Sequence, residues 1–273
     1  MSLINDEQWW QYFQDGYLRL GKVLSEAELA ALQQRIDEIM LGQAGIDYDR
    51  VLMQLDSDTG AYGDMPAQTK GFKGPTLNYR KIQDLEHDPL FLAYTQRPLF
   101  QEICARVYGA HASIACFRAM FMNKPAGKGT VLPWHQDGGA GWDVDRDPLV
   151  TVWTALDPAT IANGCVKVIP GSHKLGLLSA YGHTITPEQE QEYYSEDKAL
   201  YLELEPGEAV LLHNWLLHSS DVNKTARPRR AFSVCYVDAR TRPQANDECR
   251  WSVVFGNGAM EPEAVGARGL VER

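Results

Sequence analysis

The chain has 273 residues, of which 44% are hydrophobic and 23% are charged, so it is long enough for one large globular domain. Its formal net charge is −10 and it has no run of basic residues, which argues against a nucleic-acid or anionic membrane partner. No apolar segment has the length needed to span a bilayer, and no signal peptide is recognisable. The five cysteines form no Cys-x-x-Cys pair, so reduced thiols and a cytoplasmic location are predicted.

The N-terminal part of the chain is predicted to be mostly helical. Capping residues precede apolar residues at helical spacing, and Gly or Pro marks most of the ends. The predicted helices lie between Asn5 and Gly16, Ser25 and Gly42, Asp88 and Thr95, and Pro98 and Gly109. Residues 43–80 are rich in Gly and Asp without a clear period, and we interpret them as a long loop and a candidate lid over an active site.

Beyond residue 111 the pattern changes to short strands separated by Gly- and Pro-containing turns. The predicted strands lie within residues 112–123, 131–137, 149–156, 165–169, 208–213, 216–220 and 229–237. Such strands after a helical region are typical of a mainly β fold with flanking helices and a double-stranded β-helix core, the cupin-like jelly roll. We therefore predict one domain over residues 1–273, with a helical N-terminal region to 111, a jelly-roll core over 112–239 and an unassigned tail over 240–273.

A histidine and an aspartate lie two positions apart on one predicted strand. His135 and Asp137 therefore share one face, and they are candidates for two of the three ligands of a 2-His-1-carboxylate triad for non-haem Fe(II). A third ligand must come from another strand, and His213 and His218 are the candidates. They are five residues apart, so on an uninterrupted strand they face opposite sides and only one can join the site. A purely structural role for both histidines remains an alternative.

A basic residue lies near the start of the last predicted strand. Arg229 shares a face with Ala231 and Ser233. Its guanidinium can offer a bidentate fork to a carboxylate, and the Ser233 hydroxyl can donate a hydrogen bond beside it. The alternative is that Arg229 is only a solvated flank of the strand.

Together these residues resemble the phytanoyl-CoA dioxygenase (PhyH) family of Fe(II)- and 2-oxoglutarate-dependent oxygenases. The resemblance covers most of the chain, from Phe13 to Tyr236. The motifs that carry it are Lys81-Ile82-Gln83-Asp84, Met122-Asn123-Lys124-Pro125, Trp134-His135-Gln136-Asp137, Val152-Trp153-Thr154-Ala155-Leu156-Asp157, Asn163-Gly164-Cys165, Val168-Ile169-Pro170-Gly171-Ser172-His173, His218-Ser219-Ser220 and Arg229-Arg230-Ala231-Phe232-Ser233.

The resemblance implies a role for each matching residue. The metal ligands would be His135, Asp137 and His218, which leaves His213 outside the ligand set. Arg229, rather than Arg230, would hold the distal carboxylate of 2-oxoglutarate. The other co-substrate contacts expected from the matching positions or from the shared strand face are Lys81, Met120, Trp153 and Ser233.

The implied cofactors are Fe(II), the co-substrate 2-oxoglutarate and O2. Oxidative decarboxylation to succinate and CO2 would be coupled to hydroxylation of an unactivated C–H bond of a small-molecule metabolite. In related halogenases a small residue replaces the carboxylate ligand, so the intact Asp137 favours hydroxylation. The acidic loop with Asp143, Asp145 and Asp147 favours a neutral or cationic metabolite over an acyl-CoA.

Other functions are compatible with the same residues. Two histidines and a carboxylate also suit Zn²⁺, so a cupin-like hydrolase or isomerase is one alternative. A non-catalytic small-molecule binder on a jelly-roll scaffold is another. Desaturation or ring closure by the same iron centre is an alternative outcome of the oxygenase reaction.

Overall fold

A computed structural model of the chain describes residues 2–179, 184–193, 197–245 and 251–271. The helices in these ranges are α1 (Asp6–Asp15), α2 (Glu26–Met40), α3 (Pro89–Thr95), α4 (Pro98–Tyr108), α5 (Pro187–Tyr193) and α6 (Pro262–Val271). The strands are β1 (Tyr17–Lys22), β2 (Leu52–Leu55), β3 (Thr69–Lys70), β4 (Tyr79–Gln83), β5 (Ile114–Lys124), β6 (Leu132–His135), β7 (Val150–Ala155), β8 (Val166–Val168), β9 (Leu200–Leu202), β10 (Glu208–His213), β11 (His218–Ser220), β12 (Arg229–Asp238) and β13 (Ser252–Phe255).

The described strands form two antiparallel sheets. The larger sheet has the order β1-β10-β7-β12-β5-β4-β2-β3, and β13 also pairs with β5. The smaller sheet has the order β6-β11-β8-β9. From β5 to β8, and again from β10 to β12, consecutive strands alternate between the large and the small sheet. This arrangement confirms the predicted fold class, a double-stranded β-helix with flanking helices.

The larger sheet is buried on both faces. One face packs on the smaller sheet through an apolar cluster that includes Trp153 and Ala231 from the large sheet and Val168 from the small one. The other face is covered by the N-terminal helices, where the ring centroids of Phe91 in α3 and Phe232 in β12 lie 4.8 Å apart. Each fully buried large side chain of this kind contributes about 1.5–3 kcal/mol. The helices therefore stabilise the sheet on the side opposite the small sheet.

The predicted helix starts agree with the structure. Asn5 and Ser25 both form capping boxes, with the side chain of the third helical residue bonded back to the cap. The first helix ends at Gly16, whose φ of 79° is the left-handed conformation that glycine adopts without strain. The turn at Gly16 leads directly into β1.

Two parts of the chain are more ordered than we predicted. The segment 43–80, interpreted as a loop, contains β2, β3 and the start of β4, and these strands extend the large sheet. Strands of two to five residues are too short to show a hydrophobic period, so the sequence pattern missed them. The unassigned tail forms β13, which pairs with β5, and α6. The lid and the three-part division of the chain stay predictions.

No helix within the described ranges is both long enough and apolar enough to cross a bilayer.

A buried carboxyl group lies in the turn between β4 and α3. Burial, and then the nearby Asp84, raise the pKa of Glu86 to about 8. His87 Nε2 lies 3.9 Å from Glu86 Oε1. Burial lowers the pKa of His87, which favours the neutral imidazole. Both groups are therefore mainly neutral at pH 7 and do not form an ion pair.

The raised pKa of Glu86 predicts how stability depends on pH. The folded state holds a proton that the unfolded state releases above its ordinary pKa, so stability is full below about pH 4.5 and is lost as the pH rises towards 8. Glu86→Gln removes this loss, and its stability relative to the wild type should rise by up to about 4 kcal/mol between pH 5 and pH 8. Denaturant unfolding at both pH values measures the difference. Exposed Glu7→Gln is the control, and parallel pH dependence of wild type and Glu86→Gln would contradict the prediction.

Candidate active site

Two histidines from neighbouring strands face each other at one edge of the small sheet. His135 ends β6, His218 begins β11, and the two are directly paired in the antiparallel register. Their ring centroids lie 3.9 Å apart. Asp137 follows β6 and places its carboxylate oxygens 3.9 Å from His135 Nε2 and 3.8 Å from His218 Nε2. The three ligand atoms lie within 4.8 Å of one another, so they can share one metal ion.

Backbone carbonyls orient both imidazole rings. His135 Nδ1 lies 2.8 Å from the carbonyl oxygen of Pro133, and His218 Nδ1 lies 2.8 Å from that of Leu216. An Nδ1–H that donates to a carbonyl leaves the Nε2 lone pair free for a metal ion. The distances from Nε2 to Asp137 exceed the hydrogen-bonding range. The three groups therefore converge without bonding directly to one another, as expected of ligands to a common ion.

Gln136, which lies between two of these residues, points to the opposite face of the strand. Its Nε2 donates to the carbonyl oxygens of Gly176 and Trp215, at 2.8 and 2.7 Å. Its Oε1 accepts a 2.7 Å hydrogen bond from the Leu178 amide. The buried Gln136 amide therefore links the loops around the site. Because side chains alternate along a strand, the metal ligands lie on one face and Gln136 stabilises the loops on the opposite face.

The two glycines after Asp137 are required by close packing. Gly138 and Gly139 have φ values of 151° and 86°, which side chains rarely adopt. A Cβ on Gly138 would lie 3.1 Å from Asp147 Oδ1, and the Gly139 amide donates to the same oxygen at 2.8 Å. The chain can therefore turn sharply away from the metal site.

A change of sheet separates the two candidate histidines. His213 ends β10 in the large sheet, whereas His218 begins β11 in the small sheet. His213 Nδ1 accepts a hydrogen bond from the Trp215 amide at 3.1 Å, and its ring lies 4.9 Å from that of His173. Burial lowers the pKa of His213 to about 4, so this ring is neutral. It lines the same cavity but is not among the three clustered ligand atoms.

The cavity in front of the three ligands has a volume of about 380 Å³. It is enclosed by the inner faces of both sheets. All eight predicted site residues line it, namely Lys81, Met120, His135, Asp137, Trp153, His218, Arg229 and Ser233.

Arg229 is the most deeply buried cation of this cavity. Its side chain is 2% exposed, and its Nε and Nη1 atoms have no hydrogen-bond partner. The guanidinium lies 5.3 Å from the centroid of the Trp153 ring. Burial lowers the pKa of Arg229 to about 10, so it is still charged at neutral pH. A buried charge with unsatisfied donors is costly unless an anion pairs with it, which is what a ligand carboxylate would do.

The neighbouring strands bring further predicted residues to the same wall. Ser233 is paired with Met120 in the register of β12 and β5, and Lys81 of β4 is paired with Met122 of β5. Burial, followed by the nearby Arg80 and Arg118, lowers the pKa of Lys81 to about 7. A bound anion would favour the charged form of Lys81 and raise its pKa again.

Several cavity residues were not predicted to belong to the site. They are Gln68, Gln83, Arg118, Trp142, Thr151 and Asn214, among others. The sequence pattern could have identified Arg118. It lies at every-second-residue spacing with Met120 and Met122 on β5, so all three side chains face the same side. No sequence pattern pointed to Gln68, because it lies in the segment 43–80, for which the sequence predicts a loop.

The acidic loop does not form the rim that we expected. Asp147 accepts the Gly139 amide, and Asp145 accepts the Arg242 amide at 2.7 Å. Asp143 accepts the Ala245 amide at 3.1 Å. None of the three aspartates lines the cavity. They hold the loop 138–147 to neighbouring backbone, so the argument for a neutral or cationic metabolite loses its basis.

The donor set suits a metal with open coordination positions. Two imidazole nitrogens and one carboxylate on one side are the ligands of non-haem Fe(II) oxygenases, and the cavity lies on the other side. Arg229 offers unsatisfied donors for a co-substrate carboxylate within the same cavity.

Comparison with known proteins gives the family. The family model for phytanoyl-CoA dioxygenase (PhyH) matches residues 12–231, which is most of the chain. The chain belongs to the phytanoyl-CoA dioxygenase family. A probable phytanoyl-CoA dioxygenase of Caenorhabditis elegans is 28% identical over 269 residues, covering 93% of this chain and 80% of that protein. The phytanoyl-CoA dioxygenase of Arabidopsis thaliana is 26% identical and covers 88% of this chain and 89% of that protein.

Solved structures show the same fold. EctD from S. alaskensis, with 2-oxoglutarate and 5-hydroxyectoine, superposes with a TM-score of 0.70 at 20% identity, covering 96% of this chain and 86% of that one. The α-ketoglutarate-dependent carbocyclase SnoK of nogalamycin biosynthesis gives a TM-score of 0.61 at 19% identity and covers 89% of this chain and 88% of that one.

Family membership and the clustered triad confirm the predicted enzyme class, a 2-oxoglutarate-dependent non-haem iron dioxygenase with Fe(II) and 2-oxoglutarate as cofactors. The role of each site residue within this class remains a prediction.

The geometry predicts which histidines bind the metal. Replacing either His135 or His218 with Ala removes one of three ligand atoms, so the affinity for Fe(II) should fall by more than about 100-fold. Anaerobic titration calorimetry with Fe(II) measures the change. Exposed His111→Ala is the matched control. If His218→Ala bound Fe(II) as tightly as His111→Ala, His218 would not be a ligand.

Proposed function

We propose that this enzyme hydroxylates an unactivated C–H bond of a small-molecule metabolite, using O2 and releasing succinate and CO2 from 2-oxoglutarate. The observation that carries this proposal is the buried Arg229, whose unsatisfied donors share one cavity with the triad. The intact carboxylate of Asp137 favours hydroxylation over halogenation.

The protein's own residues would position the reactants. His135, His218 and Asp137 would hold the iron from one side, and the backbone carbonyls on both Nδ1 atoms keep the imidazoles oriented. Bound Fe(II) would supply the activation of O2 that couples 2-oxoglutarate decarboxylation to substrate oxidation. Arg229 would hold the distal carboxylate of 2-oxoglutarate as a bidentate partner, with the Ser233 hydroxyl beside it.

The shape of the cavity supports the exclusion of water. Trp153 lies against the Arg229 guanidinium and Met120 faces Ser233 across the strand pair. Apolar surfaces around a buried charge strengthen its attraction for a carboxylate, because less solvent screens it.

A cytoplasmic location remains part of the proposal. The human relative is 31% identical over 201 residues, and its name places that protein in the peroxisome.

The role of Arg229 can be tested against its neighbour in sequence. Protein with Fe(II) and 2-oxoglutarate under nitrogen should develop a charge-transfer absorption band in the visible range, and titration of that band gives the affinity for 2-oxoglutarate. Arg229→Gln should weaken this affinity at least about 30-fold, because a buried carboxylate loses its charged partner.

Arg230→Gln is the matched control. The Arg230 guanidinium donates to Asp157 at 2.8 Å and to Asp37 at 2.7 Å, and it does not line the cavity. Arg230→Gln should lower the stability of the protein but leave the affinity for 2-oxoglutarate, measured from the band, unchanged. Absence of the band in the wild type would exclude the proposed function. If both variants weakened the affinity for 2-oxoglutarate equally, Arg229 would not be the specific partner of its carboxylate. Oxygen-independent turnover by zinc-loaded protein would instead support a hydrolase or isomerase.

A further inference from the structure

The floor of the cavity has a cation at each end. On β12 and β5, Arg229 is paired with Lys124, whereas Arg118 is paired with Cys235. The two pairs lie six positions apart along β12, which corresponds to roughly 20 Å of strand. Both arginines line the cavity, and Met120 and Met122 lie between them on β5. The proposed function uses only the Arg229 end, so the Arg118 end has no assigned ligand.

A β-bulge in β5 shapes the Arg118 end. Cys235 pairs with Arg118 and Tyr236 pairs with Cys116, so Phe117 is the extra residue. The Phe117 ring stacks on Trp142 at 5.0 Å, and the Arg118 guanidinium lies 4.0 Å from the centroid of the Trp142 ring. Cation–π stacking uses the flat face of a guanidinium and leaves its N–H edge free to donate.

Two side chains at this end, Arg118 and Gln68, have donors without an acceptor among the described residues. The Arg118 side chain contacts the Phe117 and Trp142 rings and forms no hydrogen bond or ion pair with any residue that the structure describes. Gln68 Nε2, which also lines the cavity, is buried and has no hydrogen-bond partner. Gln83 is paired with Met120 and is therefore a diagonal cross-strand neighbour of Arg118, but its Nε2 already donates to Asp84 Oδ1 at 3.3 Å. A charged fork beside the unpartnered amide of Gln68 is an arrangement that binds a carboxylate.

The overall charge also favours an anion. Among the described residues that line the cavity, the cations are Lys81, Arg118 and Arg229, and the one carboxylate is Asp137. Fe(II) and the 2-oxoglutarate dianion carry equal and opposite charges, so the loaded cavity keeps an excess of positive charge. Asp84 lies outside the cavity lining, and it interacts electrostatically with Arg118 without forming an ion pair.

We propose that Arg118, held on Trp142 and assisted by Gln68, binds a carboxylate group of the substrate. This proposal rests on the proposed function and deepens it, because it names the substrate class as small carboxylic acids. The free carboxylate, rather than a CoA thioester, is the group recognised. The cavity of about 380 Å³ is at the small end of ligand sites, in agreement with a compact substrate.

The test compares three matched sets of compounds, namely small carboxylic acids, their primary amides and their CoA thioesters. Succinate release above the uncoupled baseline should be confined to the acids. With the best acid, Arg118→Gln should lower kcat/KM about 10- to 100-fold, mainly through KM, and Arg118→Lys should keep part of the difference. Calorimetry on protein loaded with Fe(II) and 2-oxoglutarate under nitrogen should show the same loss of acid binding without turnover.

Arg106→Gln is the matched control, because it loses a cation–π contact of the same kind, on Trp9, at an exposed position outside the cavity. The affinity of Arg118→Gln for 2-oxoglutarate, read from the charge-transfer band, reports on the intact Arg229 end. Amides or thioesters that act as well as the acids, no binding of any acid, or unchanged acid affinity in Arg118→Gln would each overturn the proposal. Those results leave the band intact, whereas a missing wild-type band would refute the proposed function itself.

Discussion

The candidate site depends on the register between β6 and β11. Because His135 and His218 are directly paired, their side chains leave the small sheet on the same face and meet above it. A slip of one residue would turn His218 to the opposite face, since side chains alternate along a strand. The register is reinforced beside His218, where the Leu217 amide donates to Ser172 Oγ at 2.8 Å and the Ile169 amide donates to the Leu217 carbonyl at 3.0 Å. The turn that contains Ser172 is therefore a structural support for the metal site.

The large sheet supplies a different kind of constraint, because it holds charged groups where little water can reach them. Arg229 and Lys81 both have pKa values lowered mainly by burial, so in the absence of anions their charge is unfavourable. Anionic ligands would relieve this cost. The unliganded protein is therefore less stable than it would be without these buried charges, which form a preorganised binding site. Glu86 shows that the same fold buries an acid outside the site, where neutralisation rather than pairing relieves the cost.

The loop 138–147 forms part of the cavity wall near the triad. The aspartates of the loop 138–147 bond to backbone amides, and this places Trp142 against Arg118 at the cavity wall. Acidic residues that looked like a rim in the sequence are therefore structural, and the charge that faces the substrate is positive. Under our proposals the triad would set the reaction class, whereas Arg118, which lines the same cavity, would select among substrates.

The order of residues along the chain was sufficient for the enzyme class and the fold class. His135 and Asp137 share a strand face by simple alternation, and the motifs around them together resemble one family. Tertiary structure decided the rest, because it depends on which strands become neighbours. The sheet change between β10 and β11 separates His213 from His218, and the strands within residues 43–80 bring Gln68 to the cavity. Next to the bulge at Phe117, Arg118 contacts Trp142. These contacts join residues far apart in sequence, so no local pattern could reveal them.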